Sequence, residues 1–431
     1  MHPGQQNSTA LLQRASQAMQ AGDLGTAERA CRAVLKAEPS NPGATHMLGG
    51  IALRAGHTQA GIDLLRRTVA AAPGYGEAWG SLGKALAETD DRDGAEEAFQ
   101  QALKARPEYW PAISGLADIW KGKGETAKAQ SALEQAVDAF PQRPAPPFEL
   151  ANILQEQGNH GGAIKAYSVA LSRNPNFTAA LSNRAAARLK AGDPGGALED
   201  ADAYLATGTK SANVVAYRVL ALQWLGRGEE AKDWDDVATM VYPATPAAEP
   251  GFTEKLVSDI RLHPRLTQDW DQTQRAIRDG QVVLDLARDP TPTIAKFLSM
   301  IRAEVDALRD SLPDKPGHPF FGAKPKKYEM SVWANILASG GQQAAHIHNY
   351  GWLSGTYYPT LPKTITDDSD AGWISFGTPG YGLPAPEGIA NRSLKPMGGS
   401  MFMFPSYLWH HTIPLETGEE RISIAFDIVP V

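Results

Sequence analysis

A period of 34 residues constrains this chain more than any other feature. Glycines stand at Gly22, Gly56, Gly124, Gly158, Gly192 and Gly226, and Asp90 fills the one missing slot in that series. Five positions after each lies a small residue: Ala27, Gly61, Ala95, Ala129, Ala163, Ala197 and Ala231. Prolines close the units at Pro39, Pro73, Pro107, Pro141, Pro175 and Pro243, with Thr209 breaking the series. Glycine at such a spacing ends a helix, because it carries no Cβ penalty in the left-handed conformation. The small residue lets a second helix approach the first, and proline ends that second helix because it cannot continue the hydrogen-bond ladder. Between these marks apolar residues recur at helical spacing, as in Ala95, Phe99 and Leu103. One hairpin cannot bury its apolar stripe alone, so about seven are expected to stack over residues 1–245 into a solenoid with a concave face.

Roughly residues 8–245 resemble the tetratricopeptide repeat family. The resemblance implies a surface for a protein or peptide partner, with self-association as the other use of such an array. Composition narrows the partners further. A net charge of −7 argues against nucleic acid, since phosphate binding wants a basic surface. The single cysteine, Cys31, excludes an intramolecular disulfide and fits a reducing cytoplasm. The first residues, MHPGQQNSTALLQRASQ, lack a basic patch followed by an apolar run, so no secretory signal is expected. No run of 18 apolar residues occurs, so no membrane-spanning helix is expected either.

The register stops after Pro243, where TPAAEPGFT reads as a junction. Residues 246–292 are expected to hold a linker and accessory helices (KLVSDIRLHPRL, then WDQTQRAIR), and a clear helix is expected at Ile294–Leu312. From there short apolar runs alternate with turn signals: EMSVWANIL, LSGTYYPTL, GWISFG, SMFMFP and RISIAFDIVPV. This predicts, for residues 293–431, an all-β sandwich or barrel with the helix on its outside.

Four of the 10 histidines fall at 346, 348, 410 and 411. His346 and His348, two apart on a predicted strand, project to one face and can chelate one metal, with His410 or His411 as a third ligand from another strand. Imidazole suits iron, zinc, copper and nickel alike. On the last predicted strand Arg421, Ser423 and Ala425 share one face, while Ile422, Ile424, Phe426 and Ile428 share the other. The apolar face must pack against something, and the outer helix is the candidate. Arg421 then points inward and needs an anion, because an unpaired buried guanidinium costs several kcal/mol. Either a distant acidic side chain or a small carboxylate ligand, with Ser423 adding a hydroxyl hydrogen bond, meets that need.

Taken in order, HIHN, LSGTYY, FPSYLWHHTIP and ERISIAF resemble the Fe(II)/2-oxoglutarate-dependent oxygenases, over roughly residues 290–431. The resemblance implies an α + β multidomain chain whose C-terminal part is a double-stranded β-helix (jelly roll) with flanking helices. It implies His346, His348 and His410 as metal ligands, with His411 outside the set. It also implies that Arg421, Ser423 and Tyr358 bind the cosubstrate. Fe(II), 2-oxoglutarate and O2 would then serve a hydroxylase that yields succinate and carbon dioxide, acting on a protein or peptide recruited by the repeats. One departure stands out: the family's second ligand is an acid, and here it is His348. Three histidines fit best, since an i, i+2 pair needs no loop to move; the other arrangement brings in Asp367, Asp368 or Asp370 from TITDDSDAG. A cupin-like three-histidine dioxygenase independent of 2-oxoglutarate and a non-catalytic scaffold or sensor are the alternatives. Trp333, Tyr350, Trp352, Tyr357 and Trp409 are candidates for pocket walls, with core packing the commoner fate of such residues.

Overall fold

A computed structural model describes residues 3–267, 277–389, 391–415 and 419–431. It contains two compact units, Met1–Pro175 and Asn176–Val431.

The first unit is a run of helical hairpins: Pro3–Gln20 with Leu24–Ala37, Pro42–Arg54 with Thr58–Ala71, Gly76–Glu88 with Arg92–Ala105, Trp110–Gly122 with Thr126–Ala139, and Ala145–Glu156 with His160–Arg173. Each helix packs on the next. The punctuation works as its spacing implies. Gly22, Gly56, Gly124 and Gly158 adopt φ between 76° and 81°, and Asp90, the exception in the series, takes φ 60°. Aspartate tolerates that region better than most side chains do. Ala27, Ala95 and Ala129 are fully buried. At Gly61 a Cβ would lie 2.7 Å from Leu53 and 3.1 Å from the Gly49 carbonyl, which shows why that slot excludes anything larger. Asp23, Asn41, Asp91 and Asn159 cap helix N-termini by accepting backbone N–H bonds, which offsets part of the cost of the orphan donors there.

The second unit begins with the same pattern, in helices Thr178–Lys190, Pro194–Ala206 and Ala212–Trp224. The second helix of the seventh repeat does not form. A 3-10 turn at Gly228–Glu230 and two single turns, Lys232–Asp235 and Val237–Met240, stand in its place. Asp236 separates the two single turns: its backbone is extended (φ −66°, ψ 100°) and its carboxylate accepts the N–H of Ala238, starting a new turn instead of continuing the old one.

Among the described residues ten strands follow: β1 Tyr242–Ala244, β2 Leu266–Thr267, β3 Ile277–Val283, β4 Tyr328–Gln343, β5 Leu353–Tyr358, β6 Ile374–Phe376, β7 Arg392–Leu394, β8 Ser400–Pro405, β9 His410–Thr412 and β10 Arg421–Pro430. Seven pair in the order β1-β8-β5-β10-β4-β3-β2, and three form a separate sheet, β7-β6-β9. The expected double-stranded β-helix, or any closed barrel, is therefore not what the chain forms: neither sheet closes on itself among the described residues. The edges of the large sheet explain this. β1 is three residues long and centred on Pro243, which has no N–H to donate, and β2 has two residues. Alternating apolar and polar residues specify which face is buried, not whether the edges meet, so the sequence pattern is the same for open and closed sheets.

The apolar face of the large sheet packs as expected. Ile422, Ile424, Phe426 and Ile428 share one core with Ile294, Phe297, Ile301 and Val305 of the helix Pro292–Ser311, and the Phe297 and Tyr357 rings lie 4.9 Å apart. Gly355 is opposite Phe426, where a Cβ would meet the ring at 2.2 Å. Of the expected accessory helices, the first appears as Phe252–Arg261. The second, WDQTQRAIR, lies almost wholly outside the described residues, and its last two residues begin β3. No helix among the described residues is long and apolar enough to cross a membrane.

Candidate metal centre

The opposite face of the large sheet carries the polar residues. On β10 these are Arg421, Ser423 and Asp427. Antiparallel register sets Asn335 of β4 across from Ser423, and Thr356 and Ser354 of β5 across from Ala425 and Asp427. Paired residues point the same way, so these side chains share one face.

His346 and His348 follow directly after the end of β4. The pair is not inside a strand, yet it is held as if it were. His346 and His410 exchange backbone hydrogen bonds of 3.0 and 3.1 Å, and the His348 N–H donates to the Ser406 carbonyl at 2.9 Å. Ile347, between them, turns away into the core. The nitrogens of His346, His348 and His410 that are free to ligate lie within 4.8 Å of one another. Ring centroids are separated by 4.3 Å (His346 to His410) and 5.1 Å (His348 to each of the others).

Hydrogen bonds on the outer nitrogens decide what the inner ones offer. His346 Nδ1 lies 2.7 Å from the Ala344 carbonyl, His410 Nδ1 lies 2.9 Å from the Leu408 carbonyl, and His348 Nδ1 lies 2.5 Å from an Asp427 carboxylate oxygen. All three partners accept, so each Nδ1 carries a proton, and in a neutral ring Nε2 then presents the lone pair. Burial disfavours the charged form of two of these rings, pulling His346 down to about 3 and His410 well below its ordinary value. His346 Nε2 and His348 Nε2 face each other at 3.2 Å, within hydrogen-bond distance. Converging lone pairs repel unless a cation lies between them, and imidazoles fixed through Nδ1 are what metal sites use. The donor set fits a borderline metal ion such as iron.

The remaining expected residues fall nearby with different environments. Arg421 is 4% exposed; its Nη1 donates to the Gly372 carbonyl at 2.8 Å, while Nε and Nη2 have no partner among the described residues. Ser423 Oγ is buried and unpartnered as well. Tyr358 is buried and close enough to Arg421 for their charges to interact; burial pushes its phenol up and the guanidinium opposes that. His411 is half-buried and lies outside the cluster. Asp367, Asp368 and Asp370 are exposed, with Asp367 paired to Lys395 at 2.8 Å, and none belongs to the cluster. Of the aromatics, Trp333 lies 5.5 Å from the His348 ring. Tyr357 packs on Phe297, Trp352 packs on Phe320, Trp409 meets Tyr381, and Tyr350 is 84% exposed.

Two residues escaped the sequence reading. Asn335 is fully buried with both amide atoms unpartnered, and Asp427 holds His348. Even spacing along β10 puts Asp427 on the face of Arg421 and Ser423, which is the signal that was there to be read.

The loop before β7 supports the site from behind. A Cβ on Gly380 would lie 1.8 Å from the Ala345 carbonyl oxygen and 3.2 Å from the His346 nitrogen, both backbone atoms that cannot swing aside. Gly380→Ala is expected to cost about 1–3 kcal/mol of stability by overpacking. It should also weaken metal binding by displacing His346, and urea melting with metal titration measures both.

Comparison with known proteins finds two family models that match different parts of the chain. The family model described as "Putative 2OG-Fe(II) oxygenase" matches residues 331–427. The tetratricopeptide repeat model matches residues 18–86, 52–119, 86–146 and 122–189. No curated protein matches significantly. Similar solved structures include MamA, at 26% identity over 37% of this chain and 94% of that one, TM-score 0.34. PilF of Pseudomonas aeruginosa is another, at 16% identity over 48% and 98%, TM-score 0.42. A third is a thermophilic tetratricopeptide repeat protein of Thermus thermophilus, at 23% identity over 42% and 99%, TM-score 0.36. The chain joins an N-terminal tetratricopeptide repeat array to a C-terminal domain of the 2-oxoglutarate/Fe(II) oxygenase type, with a histidine cluster at its centre.

Proposed function

We propose that the C-terminal domain is a non-haem iron oxygenase whose Fe(II) is held by His346, His348 and His410, with 2-oxoglutarate as cosubstrate and O2 as oxidant. The observation that carries the metal reading is the convergence of three imidazoles, each ring anchored through Nδ1. When bound, the iron would supply oxygen activation coupled to decarboxylation of the cosubstrate. The protein's own part is to orient and to shield. Arg421 offers two unpartnered nitrogens, Nε and Nη2, in a buried position, a demand that a ligand carboxylate meets with charge-assisted hydrogen bonds. Ser423 and Asn335, orphaned on the same face, extend that polar strip, since each unpaired buried group costs about 1–3 kcal/mol until a ligand satisfies it. Tyr358 adds a phenol close to the guanidinium. The repeat array is the recruiting arm for a protein or peptide substrate, a role that suits stacked hairpins.

A second reading, a three-histidine dioxygenase that works without 2-oxoglutarate, is favoured by the donor set itself, which holds no carboxylate. Anaerobic loading with Fe(II), followed by a succinate assay with 2-oxoglutarate and air, separates the two. The first reading expects iron-dependent succinate above background even without substrate. Tightly held zinc with no turnover removes both.

A further inference from the structure

Ligand sets of the two-histidine, one-carboxylate kind bring one negative charge to the metal; this cluster brings none. We propose that Asp427 restores that charge from one layer further out: it is a positioning residue that acts on the metal through His348. The inference rests on the reading of His346, His348 and His410 as ligands.

The three rings are not anchored alike. His346 and His410 donate to backbone carbonyls, which are neutral, whereas His348 alone donates to a carboxylate. Its partner comes from 79 residues away, so this pairing is a product of the fold rather than of a local turn. A carboxylate on the far nitrogen makes an imidazole a stronger electron donor and fixes its plane.

Asp427 is itself locked. The same Oδ1 accepts the Ser354 hydroxyl at 2.6 Å, and Ser354 Oγ lies 2.8 Å from Ser406 Oγ. Ser406 closes the circuit, since its carbonyl accepts the His348 N–H. Both serines are fully buried, and the Asp427 side chain is 17% exposed, so water competes little for these bonds. Gly351 leaves room for the network: a Cβ there would stand 2.3 Å from Ser406 Oγ and 3.5 Å from Asp427 Oδ1. Trp333 lies against the His348 ring. A carboxylate held by this many contacts, next to the only ligand placed where the family has an acid, is placed to act on the metal through that ligand.

The test is metal affinity in the full-length chain, titrated anaerobically with Fe(II) and, for its visible ligand-field bands, with Co(II). Asp427→Asn keeps the shape and an acceptor oxygen, removes the charge and turns the second oxygen into an N–H donor. It is expected to weaken both metals about 10- to 100-fold and to shift the Co(II) bands, with Asp427→Glu recovering part of the loss. The decisive comparison uses His348→Asp, which returns a carboxylate to the first layer. In that background Asp427→Asn is expected to cost nothing or to tighten binding, because two facing carboxylates are relieved of repulsion. Binding unchanged by Asp427→Asn in the native background, or weakened equally in both, overturns the inference while leaving the metal centre standing. Failure of the unmodified protein to bind either ion removes the metal reading and the inference with it.

Discussion

Arg421→Met is expected to do two opposite things at once: abolish 2-oxoglutarate binding and make the ligand-free protein more stable. Arg421 is 4% exposed, with one hydrogen bond to Gly372 and with Nε and Nη2 unpartnered. Burial pulls its pKa down, with nearby Tyr358 opposing, which is the mark of a charge without its counter-ion. Such a group is costly in the empty protein. Replacing buried charge with an apolar side chain of similar length commonly stabilises by about 1–4 kcal/mol. With 2-oxoglutarate present the balance reverses, since each charge-assisted hydrogen bond to its carboxylate is worth about 1.5–3 kcal/mol. Two such bonds lost raise the dissociation constant by on the order of 100-fold or more. Calorimetric titration of metal-loaded protein and urea denaturation of the ligand-free protein read the two effects. Unchanged turnover in the variant would instead select the oxygenase that works without 2-oxoglutarate.

The second large effect separates two adjacent histidines. His410→Ala removes one of three converging Nε2 donors and is expected to lower metal affinity by more than the ~10- to 100-fold that attends loss of a mere supporting residue. His411→Ala should leave affinity within about threefold of the native value, since a surface-type substitution away from the ligands changes little. His411 is half-buried, its Nδ1 has no partner, and strand alternation sends it to the far side of β9. Bound metal per chain after anaerobic loading and desalting measures the difference. Equal losses in both variants would mean that local packing, not ligation, governs the result.

Much of this was legible because it is local. Gly124 and its counterparts sit at φ near 79° because a helix that must stop and turn needs a left-handed residue, and the sequence spells this at a fixed interval. Alternation along RISIAFDI settles that Arg421, Ser423 and Asp427 share a face, with no need to know what that face meets. Other features were not legible for the same reason. Asp236 splits the last two turns of the seventh hairpin by taking the Ala238 N–H for itself, a competition between near-equal local choices that propensity does not resolve. Pro243, which closes the last repeat in the sequence pattern, instead lies in an edge strand paired with Phe402.

From the sequence alone came the helical period, the strand alternation and the pairing of imidazoles two residues apart. These follow from backbone geometry, which repeats every 3.6 residues in a helix and every two in a strand. Tertiary structure alone decided that the sheets stay open among the described residues, that His410 meets His346 through an isolated bridge, and that Asp427 anchors His348 rather than lying idle on its strand. Those outcomes depend on which distant strands pair and in what register. A one-residue slip would turn every side chain of a strand to the opposite face, and no local pattern encodes the partner.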